Sequence, residues 1–114
     1  MTPDWTKEFP GAITVCDAEG RITAMNDRSA ETFASDGGAK LLGTNVLDCH
    51  PEPSRSKLEG LLKSGKANVY TIEKLGRKKL IFQAPWFREG VISGLVELAL
   101  EIPAELPHFN RDKP

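Results

Sequence analysis

Two adjacent residues, Cys49 and His50, are the side chains of this chain best suited to nucleophilic or metal chemistry. Side chains that are neighbours in sequence diverge on a helix or a strand, so this pair needs partners from elsewhere to act as a Cys/His nucleophile. The other thiol and imidazole, Cys16 and His108, add no paired ligand spacing typical of a zinc site. The sequence also has no glycine-rich phosphate-binding loop. We therefore expect neither an enzyme nor a zinc protein.

Composition excludes several further classes of protein. The chain has 114 residues, enough for one domain, and its 15 basic and 16 acidic residues give a net charge of −1. The one basic cluster, at 77–79, falls in a predicted hairpin turn, so we expect no nucleic-acid partner. No apolar run reaches the roughly 18 residues of a membrane span, and no signal-peptide pattern is present. These features, with only two cysteines, predict a reduced, cytoplasmic protein.

The elements that must position these side chains begin with residues 13–26, ITVCDAEGRITAMN. Ile13 and Val15 alternate with polar neighbours at the period of a half-buried strand. Residues 17–20 supply a turn that ends in Gly20, and a second strand follows as far as Asn26. The next residues, 27–35, have helical spacing, and Asn26 is placed to cap that helix.

The second half of the chain changes from helical to strand periodicity. Apolar spacing predicts a helix that begins near Ser54 or Ser56 and ends near Lys63, and then strands over 67–75, 79–88 and 91–102. The predicted fold is α+β, a five-stranded antiparallel sheet with short helices packed on one face. We expect three segments: a helical N-terminal flap at 1–10, the main domain at 11–102 and a proline-containing tail or linker at 103–114.

This arrangement resembles the PAS family of sensor domains over about residues 9–102. The resemblance rests on the 17–20 turn, Asn26 at the helix entry, Leu42-Gly43 before the middle helices, and the three-strand finish. It implies a sensor or regulatory module of signal transduction that binds a small ligand and relays the event to a partner or output domain. The alternative is a ligand-free PAS module that serves protein–protein association, chiefly homodimerisation.

The resemblance also implies a cavity between the concave face of the sheet and the middle helices. Every apolar residue expected there suits a plain hydrophobic core equally well. Cys49 and His50 are expected at the mouth of the cavity. The side chains expected to line it are Ile13, Val15, Ile22, Ala24, Asn26, Phe33, Leu47, Leu58, Leu61, Phe82, Ala84, Val96 and Leu98.

Two cofactors of this family can be compared with the sequence. Flavin-binding members carry Gly-x-Asn-Cys, whereas Gly43-Thr44-Asn45 is followed here by Val46, so we do not expect flavin. Residues 51–56 resemble the entry to the haem-bearing helix of oxygen sensors, but Lys57 and Leu58 stand where the proximal His is expected. His50 and Cys49, just upstream, are therefore the remaining candidate haem ligands, with His50 the better donor, and the cofactor stays open.

A last group of apolar residues predicts a homodimer. Trp5 and Phe9 are one helical turn apart and need a surface to lie on. The expected interface combines the N-terminal segment with the outward face of the sheet. Its residues are Trp5, Phe9, Ile81, Phe87 and Leu95.

Overall fold

The structure, a computed structural model, describes residues 3–48 and 50–112. It confirms the predicted α+β fold and element order. The strands are β1 (Ala12–Asp17), β2 (Ile22–Met25), β3 (Asn68–Lys74), β4 (Arg77–Arg88) and β5 (Val91–Ile102). The helices are α1 (Asp27–Thr32) and α2 (Ser54–Ser64), with short 3-10 turns at Ala34–Asp36 and Gly38–Leu41 between them.

The five strands form one antiparallel sheet in the order β2-β1-β5-β4-β3. The C-terminal strand β5 lies at the centre, and the N-terminal strand β1 lies between it and its own hairpin partner β2. This long-range pairing joins the first hairpin to the sheet and so stabilises it, since an isolated hairpin is only marginally stable in water. The edges of the sheet are the short β2 and the largely exposed β3.

The two hairpins of the second half close through two-residue turns. Leu75-Gly76 and Glu89-Gly90 have φ values of 54° and 75°, and of 51° and 82°, which is typical of the type I′ turns that match strand twist. The first turn therefore comes earlier than the predicted 76–78, and β4 begins at Arg77.

Two local predictions for the first third of the chain were wrong. The helix expected over 27–35 ends at Thr32, and a 3-10 turn follows before Gly37 and Gly38, both with positive φ. Of the helical flap expected at 1–10, the structure describes residues 3–10, which form a turn at residues 5–8 in place of a helix. There the backbone N–H of Thr6 donates to the Asp4 side chain, a local bond that competes with helix formation.

The structure reverses the predicted faces of β1, β4 and β5. Leu95 is buried against Cys16, Leu61 and Leu62, so it faces the helices and not a partner. Its alternate neighbours on β5, and the residues paired with them, share that face. We call this the inner face. It contains Thr14, Cys16, Tyr70, Ile72, Lys79, Ile81, Gln83, Leu95, Glu97 and Ala99.

The opposite side, the outer face, contains most of the residues that had been expected inside. Both faces of β4 and β5 contain apolar residues, so apolar alternation alone did not distinguish them, and a shift of one residue exchanges the two faces. The residues so misplaced are Ile13, Val15, Phe82, Ala84 and Leu98 on the outer face, and Ile81 and Leu95 on the inner one.

Gly94 on β5 leaves room for the Trp86 side chain to reach from β4 to β1. It has φ 152°, and a Cβ there would lie 1.9 Å from the Cys16 carbonyl oxygen and 2.6 Å from Trp86 Nε1. The missing side chain lets the Trp86 indole N–H donate to that carbonyl at 2.9 Å. One hydrogen bond thereby joins β4 to β1 across β5.

We predict that Gly94→Ala lowers the free energy of unfolding by at least about 3 kcal/mol, because the methyl group overlaps backbone and the φ is strained. Gly60 in α2 is the control, since a Cβ there meets nothing within 4 Å. Gly60→Ala should stabilise by about 0.5–1 kcal/mol. Urea denaturation of the three proteins measures both effects, and equal stability of Gly94→Ala and the parent would contradict the account.

Candidate functional site

The inner face and the helical segments enclose a cavity of about 640 Å³. One wall is the sheet, and the opposite wall comes from α1, the turns that follow it, and α2. The cavity is bounded at the β3 edge by Tyr70 and Ile72, which are both partly exposed. The full lining is Thr14, Cys16, Ile22, Met25, Thr32, Phe33, Asp36, Leu41, Val46, His50, Leu58, Tyr70, Ile72, Lys79, Ile81, Gln83, Leu95, Val96, Glu97 and Ala99.

The structure brings part of the predicted lining together. The residues expected in the cavity and found at its wall are Ile22, Phe33, His50, Leu58 and Val96, although Val96 pairs with Val15 and Ala84 and so lies on the outer face of β5. Leu61 lies instead in the buried cluster with Leu95, and borders a smaller cavity of about 270 Å³ beside the first. Cys49 lies outside the described residues.

The other expected residues lie elsewhere. Ile13, Val15, Phe82, Ala84 and Leu98 are on the outer face, as described above. Ala24 is exposed on β2, and Leu47 approaches Gly20 in the loop beside the first hairpin. Asn26 is buried but does not line the cavity.

Sequence reasoning missed a row of polar side chains on the inner face. Asn68 Nδ2 donates to Gln83 Oε1 at 2.8 Å, and Gln83 Nε2 donates to Glu97 Oε1 at 2.8 Å. We call these three residues the polar row; it crosses β3, β4 and β5. The period-two pattern had placed Gln83 and Glu97 on the face opposite the apolar lining. Polar strand residues usually face water, so their polarity did not indicate a place in the cavity.

The two cavities meet at the polar row. Gln83 and Glu97 line both cavities, as do Tyr70, His50 and Leu58. Burial raises the pKa of the Tyr70 phenol, and the negative charge of Glu97 acts in the same direction. The phenol is therefore neutral and can donate a hydrogen bond into the cavity.

Two other groups at the cavity wall have simple chemistry. Burial raises the pKa of the Cys16 thiol, against a smaller opposite effect of a backbone hydrogen bond at Leu95, so the thiol stays protonated and unreactive. Thr14 Oγ1 lies 2.6 Å from Oγ of the fully buried Ser29, which joins β1 to α1. Neither the Cys16 thiol nor the Thr14–Ser29 pair forms a nucleophile–base arrangement.

His50 is exposed, and its Nδ1 lies 2.6 Å from the Val46 carbonyl oxygen. That contact makes Nδ1 the protonated nitrogen and leaves Nε2 as the acceptor. Across residues 3–48 and 50–112, no group of three or more His, Cys, Asp and Glu side chains is arranged to hold a metal ion. In the same ranges, no helix has the length and apolar character that crossing a membrane requires.

Asn26 uses its whole side chain to connect three segments. Its Oδ1 accepts from the backbone N–H of Ile13 at 2.9 Å and of Ser29 at 3.0 Å. Its Nδ2 donates to the carbonyl oxygens of Thr6 at 2.9 Å and Gly11 at 2.8 Å. The predicted cap of α1 is confirmed, and the same amide also holds the N-terminal segment and β1.

Comparison with known proteins places the fold. A family model described as the PAS fold matches residues 6–68, more than half of the chain. A C-terminal domain from Streptococcus mutans is similar with a TM-score of 0.69, at 20% identity, over 84% of this chain and 78% of that one. No curated protein sequence matches.

Two named PAS structures are also similar. The Vibrio cholerae Aer2 receptor, described as a dual PAS-heme oxygen sensor, has a TM-score of 0.59 at 18% identity, over 82% of this chain and 95% of that one. The PAS domain of an HTR-like protein from Haloarcula marismortui has a TM-score of 0.59 at 18% identity, over 86% of each chain. At these identities the likeness establishes the fold alone.

We predict that Asn26→Ala lowers the free energy of unfolding by about 3 kcal/mol, because it leaves buried backbone donors and acceptors without partners. Asn26→Asp should recover only part of this loss, since a carboxylate can accept from Ile13 and Ser29 but cannot donate to Thr6 and Gly11. The measurement is chemical denaturation followed by circular dichroism.

Asn45→Ala is the matched control for this prediction. Its side chain also makes two hydrogen bonds, to Glu19 and Leu47, but in a more exposed loop. We expect its loss to stay below about 1.5 kcal/mol. Similar losses for Asn26→Ala and Asn45→Ala would show that the buried amide has no special role.

Proposed function

The chain belongs to the PAS family, and we propose that it is a non-enzymatic sensory signalling module that binds one small organic ligand in its inner cavity. It relays binding to a partner protein or output domain, and it acts in the cytoplasm. A volume of about 640 Å³ falls within the roughly 300–1,000 Å³ typical of ligand sites.

The observation that supports ligand binding most directly is the incompletely filled core. Among the residues that the structure describes, the largest side chain that is fully buried is that of Ser29. Tyr70 and Ile72 point to the inner face and are still about 40% exposed, at 42% and 40%. Protein interiors are normally close-packed. An apolar ligand would supply the contacts that this core lacks.

The connection of the cavity to the rest of the chain supports a relay. Leu95, Glu97 and Ala99 on β5 line the cavity, and β5 leads directly into residues 103–112. If β5 and the segment that follows it have two arrangements, a ligand that binds one of them more tightly increases the population of that arrangement. The difference between the two affinities sets the size of the shift.

We predict that wild-type protein binds the neutral apolar dye Nile red with saturable fluorescence and that Ala99→Trp abolishes this binding. Ala99 lies at the cavity wall on β5, so an indole there occupies the space for a ligand. Thr71→Trp on the outer face of β3 is the control and should bind as the parent does. Equal binding by Ala99→Trp would show that the dye uses another surface.

Haem is the cofactor alternative, with His50 Nε2 as its ligand. The exposure of His50 argues against haem, because a residue that binds the iron would have to point into the apolar part of the cavity. An absorption spectrum recorded with haemin in the same experiment separates the two cases. A Soret band that His50→Ala removes would make haem the ligand.

Self-association through the outer face is a second candidate function. This face is apolar over three strands, and it includes Ile13, Leu80, Phe82, Leu98 and Leu100. Phe82 is 37% exposed, and large apolar patches mark interaction sites. The N-terminal segment borders this face, because Phe9 and Leu100 both lie beside Gly11. The dimer is therefore proposed on this face with Trp5, Phe9 and Phe87.

We predict that the protein is a dimer by multi-angle light scattering and that Phe82→Lys makes it a monomer, because a charge would enter an apolar interface. Ile72→Lys is the matched control, since Ile72 has a similar exposure of 40% but lies on the inner face. It should stay a dimer. A monomeric parent would refute the association.

A further inference from the structure

The polar row places a carboxylate inside a largely apolar cavity. Glu97 lies on the central part of β5, opposite Thr14 on β1 and Gln83 on β4. It is half-buried and lines both cavities. A ligand in either cavity can therefore reach this carboxylate.

The chemistry of the polar row fixes its direction. A carboxylate only accepts hydrogen bonds, so Gln83 must turn its NH₂ group towards Glu97 and its carbonyl towards Asn68. The row thus holds Glu97 Oε1 in place and leaves Oε2 for another donor. The two neutral amides orient the carboxylate but leave its negative charge uncompensated.

No cation of the described chain pairs with Glu97. The ion pairs within residues 3–48 and 50–112 join other residues. Lys79 lines the cavity, but it lies opposite Glu101 and four residues from Gln83 along β4, about 13 Å at the rise of a strand. Lys57 Nζ lies 6.0 Å from the centre of the Tyr70 ring, at the smaller cavity.

The surroundings of Glu97 are suited to the rest of a cationic ligand. Ile81, Leu95 and Leu58 offer apolar contacts for the body of such a ligand. Resting on the proposed ligand-binding function, we propose that the cavity selects a small organic cation, an ammonium group on an apolar body, whose nitrogen donates to Glu97. Gln83 and Asn68 act as positioning residues that hold the carboxylate towards the ligand.

The test uses three probes of similar shape and different charge: 2-phenylethylammonium, 2-phenylethanol and 3-phenylpropanoate. Their dissociation constants are measured by NMR titration of the full chain. The ammonium probe should bind about tenfold more tightly than the alcohol, because a hydrogen bond to a charged group is worth more than a neutral one. The anion should bind most weakly.

Two variants assign this preference to Glu97. Glu97→Gln keeps the size of the side chain, and its binding of ammonium and alcohol should become equal. Glu101→Gln removes the same charge on the same strand but lies outside the cavity lining, where Glu101 pairs with Arg77; it should keep the wild-type preference. A preference that survives Glu97→Gln would overturn the assignment to Glu97.

The same titration separates the cation site from the ligand-binding function on which it rests. Binding of the alcohol or the anion as tightly as the ammonium ion would overturn the cation site and leave the ligand-binding cavity standing. Absence of binding by all three probes would overturn the cation site and count against the cavity function as well. The wild-type ranking decides the question even if a variant fails to fold.

Discussion

The four hydrogen bonds of the Asn26 side chain are the constraint on which the first half of the fold depends. One amide accepts from β1 and from the first turn of α1, and it donates to two carbonyl oxygens of the N-terminal segment. No other neutral side chain of this length offers two acceptor and two donor positions together. Because α1 has only six residues and cannot be stable alone, its position over the sheet follows from this amide and from the Thr14–Ser29 contact.

Local chemistry made the element order predictable, and tertiary packing made the faces unpredictable. Alternation, turn glycines and the Asn26 cap indicated strands and helices close to where they lie, because each signal acts within a few residues. The choice of inner face depends on which register β1 takes against β5, a pairing between residues about eighty positions apart. With apolar residues on both faces of β4 and β5, no local signal selects it.

The candidate site was predicted only in part, for a related physical reason. Ile22, Phe33 and Leu58 were expected in the cavity because any core would use them. Glu97 and Gln83 were placed outside by the rule that polar strand residues face water. A sheet that encloses a ligand site departs from that rule, because a few polar groups must lie inside to orient the ligand. The polar row is therefore the departure from that rule on which the proposed ligand site rests.

The interior strands of the sheet are held more firmly than its β3 edge, and this difference indicates where a ligand would act. Among the interior strands, the Trp86–Cys16 hydrogen bond joins β4 to β1 across β5, and the Asn26 amide holds β1 to α1 and to the N-terminal segment. The edge strand β3 pairs only with β4, and most of its residues are exposed. Its link to β5 on the inner face is the polar row, which ends at Glu97. A ligand bound at Glu97 would therefore act at the contact between the firmly held interior strands and the loosely held β3 edge. We expect the ligand-free and ligand-bound states of the module to differ most in β3 and in the neighbouring helix α2.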